Sequence, residues 1–184
     1  MNRITQIDPA SATGKAKLLL DAVKSKLGIV PNMTRVMANA PAALEGYLEF
    51  SGALAKGSLS VKVREQIALA VAEINLCSYC LSAHTFIGGK QGLTNDEIAD
   101  ARHANSSDAS TDAILRFVRS VVIQRGEVGD ADLAVARSAG LSDGQIVETI
   151  ANVALNVFTN YVNRIANTVL DFPEVSLGNG YSVK

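Results

Sequence analysis

Cys77-Ser78-Tyr79-Cys80 is followed four residues later by His84. These are the only two cysteines and one of the only two histidines in a chain of 184 residues. Two thiols three apart can close a small disulfide ring. The thiolate is the reactive form of cysteine, and a helix start lowers a thiol's pKa. The surrounding sequence is helical in character, so Cys77, Cys80 and His84 follow an i, i+3, i+7 pattern on one helix face. The pattern is that of a redox site with its own proton carrier. Cys77 is expected at or just before the helix start and Cys80 in its first turn. A helix dipole stabilises a thiolate there by about 0.3–1 kcal/mol. In most sites of this spacing the thiol nearer the helix start is the nucleophile, whereas the histidine favours Cys80. The spacing alone leaves both assignments open.

Glu65 joins the set through geometry. Helices over 60–75 and 78–88 meet near Leu76. Folded back as an antiparallel hairpin, they place Glu65, eleven residues before the turn, close to His84, eight after it. At about 1.5 Å rise per residue the mismatch is about 4.5 Å, within reach of a glutamate side chain. The carboxylate can then orient the imidazole, which lies one helical turn from Cys80 and can take its proton directly or through a water. His103 sits beside a polar loop and reads as an exposed residue. Glu65 alone, next to Arg64 and near Lys62, would read as a solvated helix position.

The elements that must hold these residues read as helices throughout. Residues 12–27 carry Leu18, Leu19, Val23 and Leu27 and stop at Gly28. Pro31 opens a short helix with Met33 and Met37, and Pro41 opens one that ends by Gly57. Ser60 caps the helix carrying Glu65. Thr94-Asn95-Asp96-Glu97 and Ser142-Asp143-Gly144-Gln145 fit capping boxes. Between them lie helices at 110–125 and 130–138, the second closed by Gly140. The last helix spans about 143–167, ends at Asp171-Phe172-Pro173, and leaves a tail from Glu174 to Lys184. No stretch alternates as a strand does. On that last helix Asn152, Asn156, Asn160, Asn163 and Asn167 form a narrow stripe, extended backward by Glu148 and Gln145. Most of the rest is apolar, through Ile146, Ile150, Val153, Val157, Phe158, Tyr161 and Ile165. A helix apolar over most of its girth is expected to be buried, with its amides lining a site or a subunit contact.

Composition bounds the reading. Hydrophobic residues make up 48% and charged residues 19%, tryptophan is absent, and the net charge is −1. The length suits a single domain over 1–184 with an aliphatic helical core. With no basic block, nucleic acid is not an expected partner. No apolar run reaches the roughly 18 residues of a membrane span. Met1 to Gln6 lacks the apolar core of a signal peptide. A cytosolic location is expected, where a two-cysteine pair is catalytic or metal-binding more often than structural.

The string Glu65, eleven residues, Cys77-x-x-Cys80, three residues, His84 resembles the signature of AhpD-like alkylhydroperoxidases, in the carboxymuconolactone decarboxylase superfamily. The core of the resemblance covers about 41–104. The ending Asn160-Tyr161-Val162-Asn163-Arg164 through Asp171-Phe172-Pro173 is similar to peroxidase-related members. The resemblance implies an all-α AhpD-like fold and homo-oligomers: dimers, trimers or hexamers. It implies hydroperoxide reduction through a thiol–disulfide cycle. Cys80 is then the peroxide-attacking thiol, Cys77 the resolving one, and Glu65 with His84 the proton relay. One position departs: the best-known AhpD signature has a histidine just before the second cysteine, where Tyr79 stands. A tyrosine does not exchange protons near neutral pH. The relay is left complete, but the family's own reductant partnership does not carry over.

The expected activity is that of a thiol peroxidase or disulfide oxidoreductase. No flavin or nicotinamide motif appears, so no cofactor is expected and an external dithiol or protein reductant must supply the electrons. A decarboxylase-like lyase is the alternative within the superfamily, although its chemistry needs no thiol pair. A zinc site from Cys77, Cys80, His84 and Glu65, or a non-catalytic redox sensor, are the alternatives outside it.

Overall fold

Gly28, Pro31 and Pro41 set the breaks in the first third of the chain. In a computed structural model that describes residues 2–178, α1 (Gly14–Leu27) ends at Gly28 in the left-handed conformation, φ 75°. Pro31 precedes α2 (Asn32–Met37), and Pro41 is the first residue of α3 (Pro41–Leu54). These helices share a small apolar cluster around Leu20, Met37 and Leu44. α3 stops three residues before Gly57. The Leu54 carbonyl accepts a hydrogen bond from Arg64 at 2.9 Å, and a Cβ on Gly57 would lie 2.1 Å from the Glu148 carboxylate.

The main core is built around α4 (Val61–Ile74). Ser60 caps it by accepting the Val63 N–H, and every residue from Gln66 to Ile74 is buried. Packed on it are α5 (Ser78–Lys90), α6 (Asn95–Arg102), α7 (Ala109–Ile123) and α9 (Asp143–Ala166), while α8 (Asp130–Ser138) rests on α7. Ile67, Leu69 and Val71 of α4 meet Leu81 of α5 and Leu115 and Val118 of α7, all without exposed surface. Each such side chain contributes about 1.5–3 kcal/mol of burial. Both expected capping boxes form, at Thr94 with Glu97 and at Ser142 with Gln145. The described residues contain no strand, so the all-α expectation holds. No helix among them is long and apolar enough to cross a membrane.

α9 differs from the sequence expectation in its apolar girth, which is not buried all round. Its amide stripe is the inward face, with Asn152, Asn156, Asn160 and Asn163 all buried. Several of its apolar residues are outside, Val147 being 65% exposed, Tyr161 54% and Ile165 64%, while Ile146 and Val153 join the core. Asn152 and Asn156 are satisfied locally, each donating to the carbonyl four residues back at 2.9 Å, whereas Asn160 Nδ2 is buried without a partner among the described residues. Glu148 also lies off the site. Its carboxylate accepts the Ser58 N–H and hydroxyl and the Leu59 N–H, tying α9 to the loop before α4.

After α9 the chain turns back over the bundle. Asp171 accepts the Asn32 N–H at 2.7 Å, at the start of α2. Val175 donates to Ser82 on α5 at 3.0 Å, and Gly178 to the buried Glu73 on α4 at 2.6 Å. The expected tail is thus docked through 178, and its remainder lies outside the described residues.

Candidate active site

The hairpin of α4 and α5 is made by the way α4 ends. Leu76 takes φ 54°, the Leu76 N–H bonds the Glu73 carbonyl and the Cys77 N–H bonds the Ala72 carbonyl. This is a Schellman closure, with a leucine where glycine is usual. A left-handed non-glycine residue costs on the order of 1 kcal/mol. The closure makes Cys77 the N-cap of α5 in the next step of the chain. Its sulfur accepts the Cys80 backbone N–H at 3.3 Å, the place a serine or aspartate oxygen takes in other caps. Cys77 and Cys80 are joined as a disulfide, with Cα atoms 5.3 Å apart, and are 1% and 2% exposed.

His84 and Glu65 meet as the hairpin register requires. His84 Nδ1 lies 2.8 Å from Glu65 Oε2, and both side chains are mostly buried. Gly88, one turn further along α5, leaves room for Leu93, since a Cβ there would stand 2.9 Å from Leu93 Cδ1. A carboxylate at Nδ1 favours the neutral tautomer that carries its proton there, in which Nε2 is an acceptor. His103, exposed at the end of α6, is apart from this set.

A cavity of about 290 Å³ opens onto the site. Cys80 and His84 line it, and Cys77 does not. Asn152, Asn156, Thr159 and Asn163 of α9 form part of its polar wall. Asn163 reaches the chemistry directly, because its Nδ2 donates to the Cys80 sulfur at 3.3 Å, and its Oδ1 is buried without a partner among the described residues. The asparagine spacing signals a lined site, but nothing local says that Asn163 meets Cys80, 83 positions away.

Tyr79 is structural in its contacts. Its hydroxyl accepts the Met33 N–H at 3.3 Å and bonds the Asp171 carboxylate, and its ring packs edge-on against Phe172. Burial first, and then the Asp171 carboxylate, push its pKa far above the ordinary tyrosine value. It is held neutral and locks α5 to α2 and to the segment after α9. Among the described residues no group of three His, Cys, Asp or Glu side chains is placed to hold a metal ion.

Residues 41–122 match the model of the carboxymuconolactone decarboxylase family. The backbone is similar to the alkylhydroperoxidase AhpD core of a peroxidase-related protein from Ralstonia eutropha JMP134, with a TM-score of 0.80, 24% identity and 92% of each chain covered. A peroxidase-related protein from Silicibacter sp. TM1040 gives 0.77 at 24% identity, over 91% of this chain and 92% of that one. The debrominase Bmp8 in complex with 2,3,4-tribromopyrrole gives 0.78 at 16% identity, over 92% and 91%. At these identities the likeness establishes the fold. Comparison with curated proteins gives no significant match.

Proposed function

We propose that the chain is an AhpD-like thiol-dependent peroxidase working through Cys77 and Cys80, a reading supported by the match of residues 41–122 to the carboxymuconolactone decarboxylase family and by the AhpD-like backbone. One observation carries the reading: of the two disulfide-bonded sulfurs, it is Cys80 that lines the cavity, together with the Glu65-bound His84. In the reduced protein His84 Nε2 takes the Cys80 proton. The thiolate attacks the terminal oxygen of ROOH, an S–O bond forms, the O–O bond breaks, and the alkoxide leaves as ROH with the proton from His84. The Cys77 thiol then condenses with the Cys80 sulfenic acid, forming the disulfide and releasing water. An external dithiol resets the pair and is itself oxidised. Asn163 donates to the attacking sulfur and holds it toward the cavity.

The lyase alternative draws no support from these contacts, because it leaves a buried thiol pair and its proton acceptor without a task. The experiment is hydroperoxide consumption with dithiothreitol as reductant, comparing the protein with Cys80→Ser. Consumption that requires Cys80 supports the reading. Consumption no faster than dithiothreitol alone contradicts it.

A further inference from the structure

The charge in the cavity points to the substrate. Among its lining residues are two cations, Arg64 and the exposed Lys26, and no aspartate or glutamate. Arg64 is held in place, because it donates through one terminal nitrogen to the Leu54 carbonyl at 2.9 Å. Its Nε is buried and has no hydrogen-bond partner among the described residues. A buried donor left unpaired costs about 1–3 kcal/mol, and more when charged. No carboxylate among the described residues lies within ion-pair distance of Arg64. Glu148 feels its charge, but its oxygens are occupied by Ser58 and Leu59. Leu48, Leu54, Ile87, Leu155 and Phe172 supply apolar wall to the same cavity.

We propose that the cavity takes an organic hydroperoxide that carries a carboxylate, with Arg64 as the anion anchor. The assignment rests on the peroxidase reading above and adds the substrate class to it. The carboxylate pairs with the part of the Arg64 guanidinium that lines the cavity, as a charge-assisted hydrogen bond, and supplies the counter-charge Arg64 lacks. The apolar body fills the walls, and the peroxide end reaches Cys80. At about 30 Å³ per water the cavity has room for about ten waters, which suits a ligand of on the order of ten non-hydrogen atoms. The redox step is unchanged: the O–O bond of the bound hydroperoxide breaks, the carboxylate stays bound, and the product is the hydroxy acid with water, at the expense of one external dithiol.

The test uses octanoate and octan-1-ol, matched in chain length and different in charge, titrated calorimetrically into the intact disulfide protein. Octanoate should bind at least tenfold more tightly. Arg64→Gln should remove that preference and Arg64→Lys should keep part of it. Equal affinities for the two probes overturn the assignment, and this comparison needs no variant to fold. A preference that survives in folded Arg64→Gln overturns it as well. In parallel, the reduced protein is offered tert-butyl hydroperoxide. Consumption without carboxylate preference overturns the substrate assignment alone. Carboxylate preference without consumption overturns the peroxidase reading, and the substrate assignment with it.

Discussion

The Cys80 sulfur stands where three supports converge: the first turn of α5, the Asn163 amide at 3.3 Å and the cavity it shares with His84. Two substitutions separate the roles of the thiols. Cys80→Ser should abolish hydroperoxide consumption, whereas Cys77→Ser should leave a thiol that oxidises once and stalls as a sulfenic acid, trapped by dimedone and read by mass spectrometry. A dimedone adduct on Cys77 in Cys80→Ser, with none in Cys77→Ser, would reverse the assignment. Glu65→Gln keeps the side chain's volume and removes the charge that orients His84. Turnover and thiol alkylation near neutral pH should both fall, turnover by about 10²-fold if the relay contributes as general acid–base groups do. His84→Asn should fall similarly, and the double variant little further, because the two act as one unit. Unchanged alkylation in both single variants would reduce the pair to helix packing. The four residues were legible in the sequence because scarce types recur at local spacing and one hairpin brings them together. Asn163 was legible only as one member of a stripe, since its partner depends on how α9 sits against α5. Arg64 gave no signal, because an arginine on a helix beside a glutamate looks like any solvated position.

At the scale of elements, the site depends on how α4 and α9 are pinned. The Glu148 carboxylate is desolvated by burial, which opposes its ionisation. Hydrogen bonds from the Ser58 hydroxyl and the Leu59 and Ser58 N–H groups, with the charge of Arg64, outweigh this and hold its pKa below the ordinary glutamate value. A lowered folded pKa contributes stability that is present above the unfolded pKa and is lost as pH falls through the folded one. Glu148→Gln should therefore cost about 1 kcal/mol at pH 7, after discounting solvent screening. In urea denaturation the gap to the parent protein should narrow from pH 6 toward pH 3. A gap that is constant over that range would assign the effect to shape and not to charge. The caps at Thr94 and Ser142 were readable because serine or threonine followed by a glutamate or glutamine three residues on has few other uses, and the cap at Ser60 because a serine stands just before a helical apolar run. The closure at Leu76 was not, because a leucine carries no mark of the left-handed conformation that α4 imposes on it.

For the whole molecule, α9 puts its asparagines inside and leaves Val147, Ile150, Phe158, Tyr161 and Ile165 on the outside. The sequence showed an apolar girth and an amide stripe, but periodicity cannot say which side meets the bundle, and the polar side did because it lines the cavity. We expect a second copy of the chain to cover the outer face, as the resemblance to homo-oligomeric relatives implies. Light scattering at micromolar concentration should report an oligomer, and Phe158→Glu with Ile165→Asp should shift it toward monomer while the helical circular dichroism is kept. A monomeric parent protein would rule the covering copy out. The peroxidase account as a whole stands most directly on one stoichiometric measurement: the fully reduced protein is mixed without air with one equivalent of tert-butyl hydroperoxide, and thiols and alcohol are counted. Both thiols of each chain should disappear, one tert-butanol should form, and the intact mass should drop by two hydrogens, with dithiothreitol restoring both thiols. Two thiols still free while the hydroperoxide remains, or thiol loss with no alcohol formed, would contradict it.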